Sequence, residues 1–276
     1  MIEDVCMSVG SSPLAQSLER AATLDQYLVA RIAEPNEPDW LPATSLTDPA
    51  TLSTILEGFA ASRKLAKRRL TGSFFISSYV WYLAGAAIAS LLIDQRIPDL
   101  DRANVLARFP SNGNADQAAI AFASQRFFGL AGDQSQAGAT VVADKASLRE
   151  QLRQQFEQHL EPVVQLVADQ SGLGQRAQWN IIADRCAGIF LRVGQRLDQV
   201  AAACEEGLAF VGAKGSAMKA SKTGYIELNT ASDASATFLQ RGGCCLYYQV
   251  EGGRNCNDCP LLPTAERLQR MAGLSN

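Results

Sequence analysis

The chain has 276 residues, 47% hydrophobic and 19% charged, with a net charge of −3, enough apolar content to bury a core as one large domain or two intimately packed ones. So mild a balance excludes whole-surface attraction for nucleic acid and leaves only local basic patches. Seven cysteines, three of them scattered at Cys6, Cys186 and Cys204, in a chain too long to need disulfide staples point to a reducing, cytoplasmic setting.

The N-terminal MIEDVCMSVG is acidic and lacks the basic flank and apolar core of a signal peptide. Apolar residues then recur at helical spacing from Leu14 to Ala33, and the Pro-rich AEPNEPDWLPATSLTDP breaks the pattern as a loop. Asp48 followed by Pro49 marks a helix start, with a cap oxygen for the unpaired amides and a proline suited to the first turn; the helix is expected to run to Leu70. Gly72 separates it from Phe74 to Ile93, twenty uncharged residues long enough to span a membrane. Serines, tyrosines and Gly85 dilute that stretch, Asp94 and Arg96 follow it, and the expectation is a buried core helix. The basic run Arg63, Lys64, Lys67, Arg68, Arg69 reads as a solvated helix face; contact with an anionic membrane or an acidic ligand is the second reading.

From Ile97 to Asp144 the pattern is mixed, with β-prone pieces such as ATVVA, the turn-rich SNGN and a Gly-rich linker over Ala131 to Ala139. Ser147 leads into a long helix carrying Leu148, Leu152, Phe156, Leu160, Val163, Val164 and Val167 on its apolar face, with a kink expected at Pro162. A second long helix is expected over Gln175 to Glu205, then an exposed loop with Lys214, Lys219 and Lys222. Short strands are expected at Tyr225 to Leu228, Ala236 to Leu239 and Leu246 to Val250, and Thr264 starts a brief terminal helix. The fold class is therefore mainly α (α+β), a helical protein with a small sheet or hairpin and a C-terminal cysteine loop. Residues 1–145 form an N-terminal helical and mixed region, and residues 146–276 a helical region ending in a cluster-binding segment at 241–262.

The remaining four cysteines, Cys244, Cys245, Cys256 and Cys259, fall in the run GGCCLYYQVEGGRNCNDCP, spaced CC-x10-C-x2-C. Four thiolates on a short loop make a complete ligand set for a tetrahedral metal or a small iron-sulfur cluster. The C-x2-C turn followed by Pro260 suits either. The vicinal pair departs from ordinary zinc knuckles; in a strand its side chains would point to opposite faces, so Gly242 and Gly243 are expected to bend the backbone there. Leu246, Tyr247, Tyr248 and Val250 read as core packing or as an apolar shell for the site. On chemistry alone zinc and iron-sulfur both stand.

His159 is the only histidine, which excludes a Rieske centre with its two histidine ligands and weakens any histidine-based zinc hydrolase; it is expected to be a satisfied core imidazole. GLAFVGAKGS is out of register with a P-loop and follows a helix, and no G-x-G-x-x-G follows a strand, so nucleotide binding of either kind is not expected.

The spacing CC-x10-C-x2-C near the C-terminus, with its LYY context and following proline, resembles the signature of the FhuF-like ferric-siderophore reductases. HLEPVV with His159 and QWNIIA with Trp179 and Asn180 look similar to mid-chain positions of that family, so the resemblance covers roughly residues 145–276, and the N-terminal half supplies no matching motif. The resemblance implies a [2Fe-2S] cluster on Cys244, Cys245, Cys256 and Cys259, and an oxidoreductase that passes one electron to a cytoplasmic ferric siderophore and releases Fe(II). Its expected partners are the ferric siderophore and an external electron donor, such as reduced ferredoxin, a flavin or a flavin reductase, with no nucleic acid; peripheral contact with the inner membrane stays open. Arg241, Arg254, Lys214, Lys219 and Lys222 are the candidate substrate-binding cations by their closeness in sequence to the cysteines, each also readable as ordinary solvated charge. Trp179 reads as core rather than as a stacking platform. Two other functions stay open: a zinc-stabilised, non-enzymatic binding module, and an iron-sulfur protein that senses redox state or relays electrons.

Overall fold

A hydrophobic α-helix in the middle of the chain organises the structure, a computed structural model that describes residues 12–34, 37, 39–109, 119–219, 222–230 and 234–273. Cys6 and the SNGN turn lie outside the described residues. The central helix, α3 (Arg68–Asp94), packs against α1 (Pro13–Leu24), α2 (Pro49–Ser62), α4 (Lys145–Ser171) and α5 (Gln175–Arg196). It is the one helix among the described residues long and apolar enough to cross a membrane, and 72% of its apolar window is buried inside the protein. That agrees with a core helix.

Caps set the starts of these helices, because a side-chain oxygen satisfies amides that have no partner in the first turn. Ser12 Oγ accepts from Ala15 N at 3.2 Å, Asp48 Oδ2 from Thr51 N at 2.8 Å, and Asp144 Oδ1 from Ser147 N at 2.7 Å. Several ends differ from expectation. The first helix stops at Leu24 rather than Ala33: Asp25 Oδ1 takes the Tyr27 amide at 3.0 Å, a local bond that competes with helix, and Ala30–Ile32 leaves as strand β1. The helix from Pro49 does not reach Leu70. Lys64 adopts a left-handed φ of 52°, and α3 begins at Arg68, with Gly72 inside it. Gly72 is there for close approach: a Cβ would lie 2.3 Å from Ser171 Oγ of α4.

Helix α4 runs through Pro162 without interruption and ends at Gly172, φ 72°. The helix expected over Gln175 to Glu205 is two helices, because Asp198 turns the chain at φ 54° and α6 (Val200–Val211) folds back on α5. The P-loop-like run starts inside α6. Three small sheets complete the described fold. β1, β5 (Ala119–Phe122), β4 (Val105–Arg108) and β2 (Leu41–Pro42) form one in that order, and β3 (Ile97–Pro98), β6 (Phe127–Gly129) and β7 (Ala139–Val141) another. The third is the antiparallel hairpin of β8 (Gly224–Asn229) and β9 (Ser235–Gln240), in register from Gly224↔Gln240 to Asn229↔Ser235. The protein is mainly α with a small β component. Its buried apolar residues form one continuous cluster from Leu14 to Met218.

Strand β9 lies against α5 and so delivers the cysteine loop to the helical core. Leu246 to Val250 is not a strand: Leu246 is left-handed and Tyr247–Gln249 forms a 3-10 turn. The terminal helix, α7 (Thr264–Met271), starts where expected.

Candidate metal centre

Where β9 ends, Asp184 of α5 gathers the chain. Its Oδ1 accepts from Gly242 N and its Oδ2 from Gly243 N, both at 2.8 Å, and Thr223 Oγ1 donates to Oδ1 at 2.7 Å. Burial raises the Asp184 pKa against the pull of these donors and of Arg241. Gly243 lies on α5 so closely that a Cβ would stand 2.9 Å from the Asn180 carbonyl carbon. Neither Gly242 nor Gly243 has a positive φ; the left-handed residue that turns the chain after the vicinal cysteines is Leu246, φ 61°. The chain does bend at Gly242 and Gly243, as expected, without a left-handed residue, and turns again at Leu246; Gly243 also provides close approach.

Two further bonds fix the vicinal pair. Ser73 Oγ of α3 donates to the Cys245 carbonyl at 2.8 Å, and Leu246 N donates to Cys244 Sγ at 3.4 Å. The return turn is made at Gly252, φ 69°, and the Cys259 amide donates to the Cys256 carbonyl at 3.1 Å, which closes the C-x2-C turn. Cys245 Sγ and Cys256 Sγ then meet at 3.7 Å. Cys259 is buried, and the other three sulfur residues are partly exposed.

Electrostatics follow from this packing. As thiols, Cys256 and Cys245 share a proton, which lowers the Cys245 pKa, with help from Arg241 and against burial, and raises that of Cys256. Burial raises Cys244, with the neighbouring Cys259 and Cys245 adding to it and the Leu246 amide opposing. Arg241 Nη1 stands 3.8 Å from Cys245 Sγ and 3.5 Å from Asp258 Oδ1. Burial works against its charge, but Asp258, Cys245 and Asp184 outweigh burial and raise its pKa.

Among the described residues no group of three or more His, Cys, Asp or Glu side chains is arranged around one point that holds a metal ion. The thiols instead present one contacting pair, Cys245 and Cys256, with Cys244 and Cys259 beside it. A binuclear cluster takes two thiolates on each iron. An all-thiolate, paired donor set with a guanidinium beside it fits a [2Fe-2S] group.

Cys245 and Cys256 also line a cavity of about 430 Å³ between α3 and the cysteine loop. Of the candidate cations, Arg241 lines it. Arg254, Lys214, Lys219 and Lys222 are exposed and do not. Sequence reasoning missed Asp184, Ser73 and Arg185, which the fold brings to the site from α5 and α3; Arg63, just past the end of α2, belongs to the basic run expected to be a solvated face and lines the cavity instead. Asp184 left a trace, an acid in the apolar run IIADRCAGIF. Trp179 is core, and His159 is buried between Tyr79 Oη, 2.6 Å from Nε2, and the Leu100 carbonyl, 2.7 Å from Nδ1.

Two family models match the chain. One, described as "Ferric iron reductase FhuF-like transporter", covers residues 73–218, and the other, "FhuF 2Fe-2S C-terminal domain", covers residues 241–261. The first reaches upstream of the expected limit near residue 145 and takes in most of α3. No curated protein matches.

Proposed function

The chain belongs to the FhuF-like ferric iron reductase family, with that family's C-terminal [2Fe-2S] domain, and from that premise we propose that it reduces a ferric siderophore in the cytoplasm by one electron and releases Fe(II). The observation that carries this reading is the placement of Cys245 and Cys256, which face an open cavity while the loop that bears them is anchored to the core. A redox centre that serves a bulky partner needs such an edge.

Cys244, Cys245, Cys256 and Cys259 would hold the cluster, which when bound supplies single-electron transfer. Asp184 and Ser73 fix the backbone on either side of the vicinal pair, through the amides of Gly242 and Gly243 and the carbonyl of Cys245. Arg241 sets a positive charge beside Cys245 that offsets thiolate charge in a partly desolvated site. The chemistry of release lies in the substrate: hard oxygen chelators bind trivalent iron far more tightly than divalent iron, so Fe(III) becoming Fe(II) opens the complex and spares the chelator. The electron is restored by an external donor, reduced ferredoxin, a flavin or a flavin reductase, because the sequence carries no dinucleotide-binding fingerprint. The basic run ahead of and into α3 supports peripheral contact with an anionic membrane.

Anaerobic mixing of the dithionite-reduced protein with ferric siderophores, with a ferrous chelator as trap, tests the reading. Reoxidation of the protein together with one trapped Fe(II) per electron is expected. Failure of every ferric chelate to reoxidise it leaves the relay or sensor reading in its place, and a colourless protein carrying one zinc removes both.

A further inference from the structure

The cavity beside Cys245 and Cys256 is lined by rings and guanidinium groups. Phe74, Ser77, Ser78, Trp81 and Tyr82 face it from α3, at the spacing of one helix face, and Tyr27 and Tyr247 add two phenol rings. Arg63, Arg185 and Arg241 also line it, and among the described residues no Asp or Glu does.

The three arginines are not equivalent. Arg241 has Asp184 and Asp258 within 3.5 Å and serves the cysteine loop. Arg185 makes no ion pair among the described residues, although Asp184 and Asp258 attract it from farther off; its Nε donates to Ser77 Oγ at 2.6 Å, and its guanidinium lies over Trp81, 5.6 Å from the ring centroid. Arg63 likewise has no ion pair among the described residues. It lies over Phe74 at 5.3 Å, and its Nε is buried without a hydrogen-bond partner. Guanidinium groups stacked on rings in a partly desolvated cavity are held in place for an anion, because an uncompensated cation there is costly and an arriving anion removes that cost. The rings ask for a flat partner.

We propose that this cavity binds the ferric chelate by catecholate arms, with Trp81, Tyr82 and Phe74 against the aromatic rings and Arg63 and Arg185 against the negative charge. The inference rests on the reductase reading and narrows its substrate class. A ferric tris-catecholate is an anion built of aromatic rings; a ferric trihydroxamate has neither property. Bound here, the iron-bearing core lies against Cys245 and Cys256, two of the four residues that would hold the cluster, so transfer would need no intervening protein group. A cavity of about 430 Å³ is within the range of ligand sites.

Titration calorimetry of the cluster-loaded protein with a gallium(III) tris-catecholate tests this, because Ga(III) resembles Fe(III) in charge and size but is not reduced, so binding is read without turnover. The catecholate complex is expected to bind at least about tenfold more tightly than the gallium trihydroxamate, with Arg63→Gln, Arg185→Gln and Trp81→Leu each weakening it by about tenfold. Arg63→Lys, which keeps the charge but loses the planar stack on Phe74, is expected to weaken binding less than Arg63→Gln. The visible cluster spectrum of each variant checks its fold; Arg63 and Trp81 make no hydrogen bond to the cysteine loop, so they carry the test if Arg185→Gln loses the cluster. Equal affinity for the two complexes, or catecholate binding untouched by Arg63→Gln and Trp81→Leu, overturns the proposal. If ferric hydroxamates reoxidise the reduced protein and the gallium catecholate does not bind, the cavity assignment falls and the reductase reading stands. If no ferric chelate reoxidises it while the gallium catecholate binds, the site stands and the reductase reading falls.

Discussion

Asp184 Oδ2 and Arg241 Nε stand 3.5 Å apart beneath the cysteine loop, an acid on α5 facing a base on the segment that leaves β9. The acid side chain is 3% exposed and every group turned to it is a donor: Gly242 N, Gly243 N, Thr223 Oγ1 and Arg241. An acceptor-only carboxylate is the one side chain that matches all of them. Asp184→Asn places an amide NH2 among these donors and leaves Arg241 short of a counter-charge, a change of the kind that costs about 3–5 kcal/mol when a buried pair is broken. The variant is expected to melt at a lower temperature and to carry less iron per chain. Iron content and melting temperature equal to the wild type would rule out a positioning role for Asp184.

Gly243 makes a separate demand on the same contact. A Cβ there would stand 2.9 Å from the Asn180 carbonyl carbon and 3.0 Å from Ile181 N, both backbone atoms of α5 that cannot move aside. Gly243→Ala is therefore expected to lift the loop from the helix and reduce cluster loading, read as visible absorbance per chain. Gly252→Ala is the contrast. Its Cβ meets nothing within 4 Å, and only the φ of 69° opposes it, a cost of about 1–2 kcal/mol that leaves the cluster in place.

The four cysteines and their spacing were legible because they are local, all within one short loop. The cavity was not, since its walls come from the ends of α1 and α2, a face of α3, one residue of α5 and the loop itself, and no linear pattern joins Arg63, Trp81 and Arg185 to Cys245. Proximity in sequence picked Lys214, Lys219, Lys222 and Arg254, which lie outside the cavity, and found only Arg241. Helix type was readable from apolar spacing, but the breaks at Lys64 and Asp198 were not, because both stretches keep helix-forming composition across a single left-handed residue. At Leu246 the apolar alternation reads as strand. A φ of 61° ends any strand there.

Replacing Cys244, Cys245, Cys256 or Cys259 singly by Ser is expected to abolish or destabilise the cluster, measured as iron per chain and EPR signal of the reduced protein. Cys204→Ala on α6 is expected to retain it, and so is Cys186→Ala, at the cost of a small void in the core. The contact between Cys245 and Cys256 adds a finer expectation for protein stripped of iron. Their sulfurs, 3.7 Å apart, need only a short movement to reach a bond length of about 2.05 Å, so peptide mapping of air-oxidised apoprotein is expected to find this disulfide. Unchanged iron content in Cys244→Ser contradicts the ligand assignment.

His159 gives the fold a pH dependence of known sign. Nδ1 donates to the Leu100 carbonyl and Nε2 accepts from Tyr79 Oη, so the neutral ring satisfies both neighbours. Burial lowers its pKa from 6.5 to about 4, with the Leu100 bond opposing and the Arg102 charge adding to the fall. The unfolded chain, with its ordinary imidazole, binds the proton more readily than the folded one throughout that window. Stability from this group is therefore full above about pH 6.5 and is lost as pH falls toward about 4, by about 2 kcal/mol at about pH 5. Urea midpoints of the wild type and His159→Gln at about pH 7.5 and about pH 5 isolate the effect, since carboxylate contributions are common to both proteins and cancel. The wild type is expected to lose more stability on acidification than the variant. Parallel losses would mean that His159 is charged in the folded state and that its two hydrogen bonds do not hold the ring neutral.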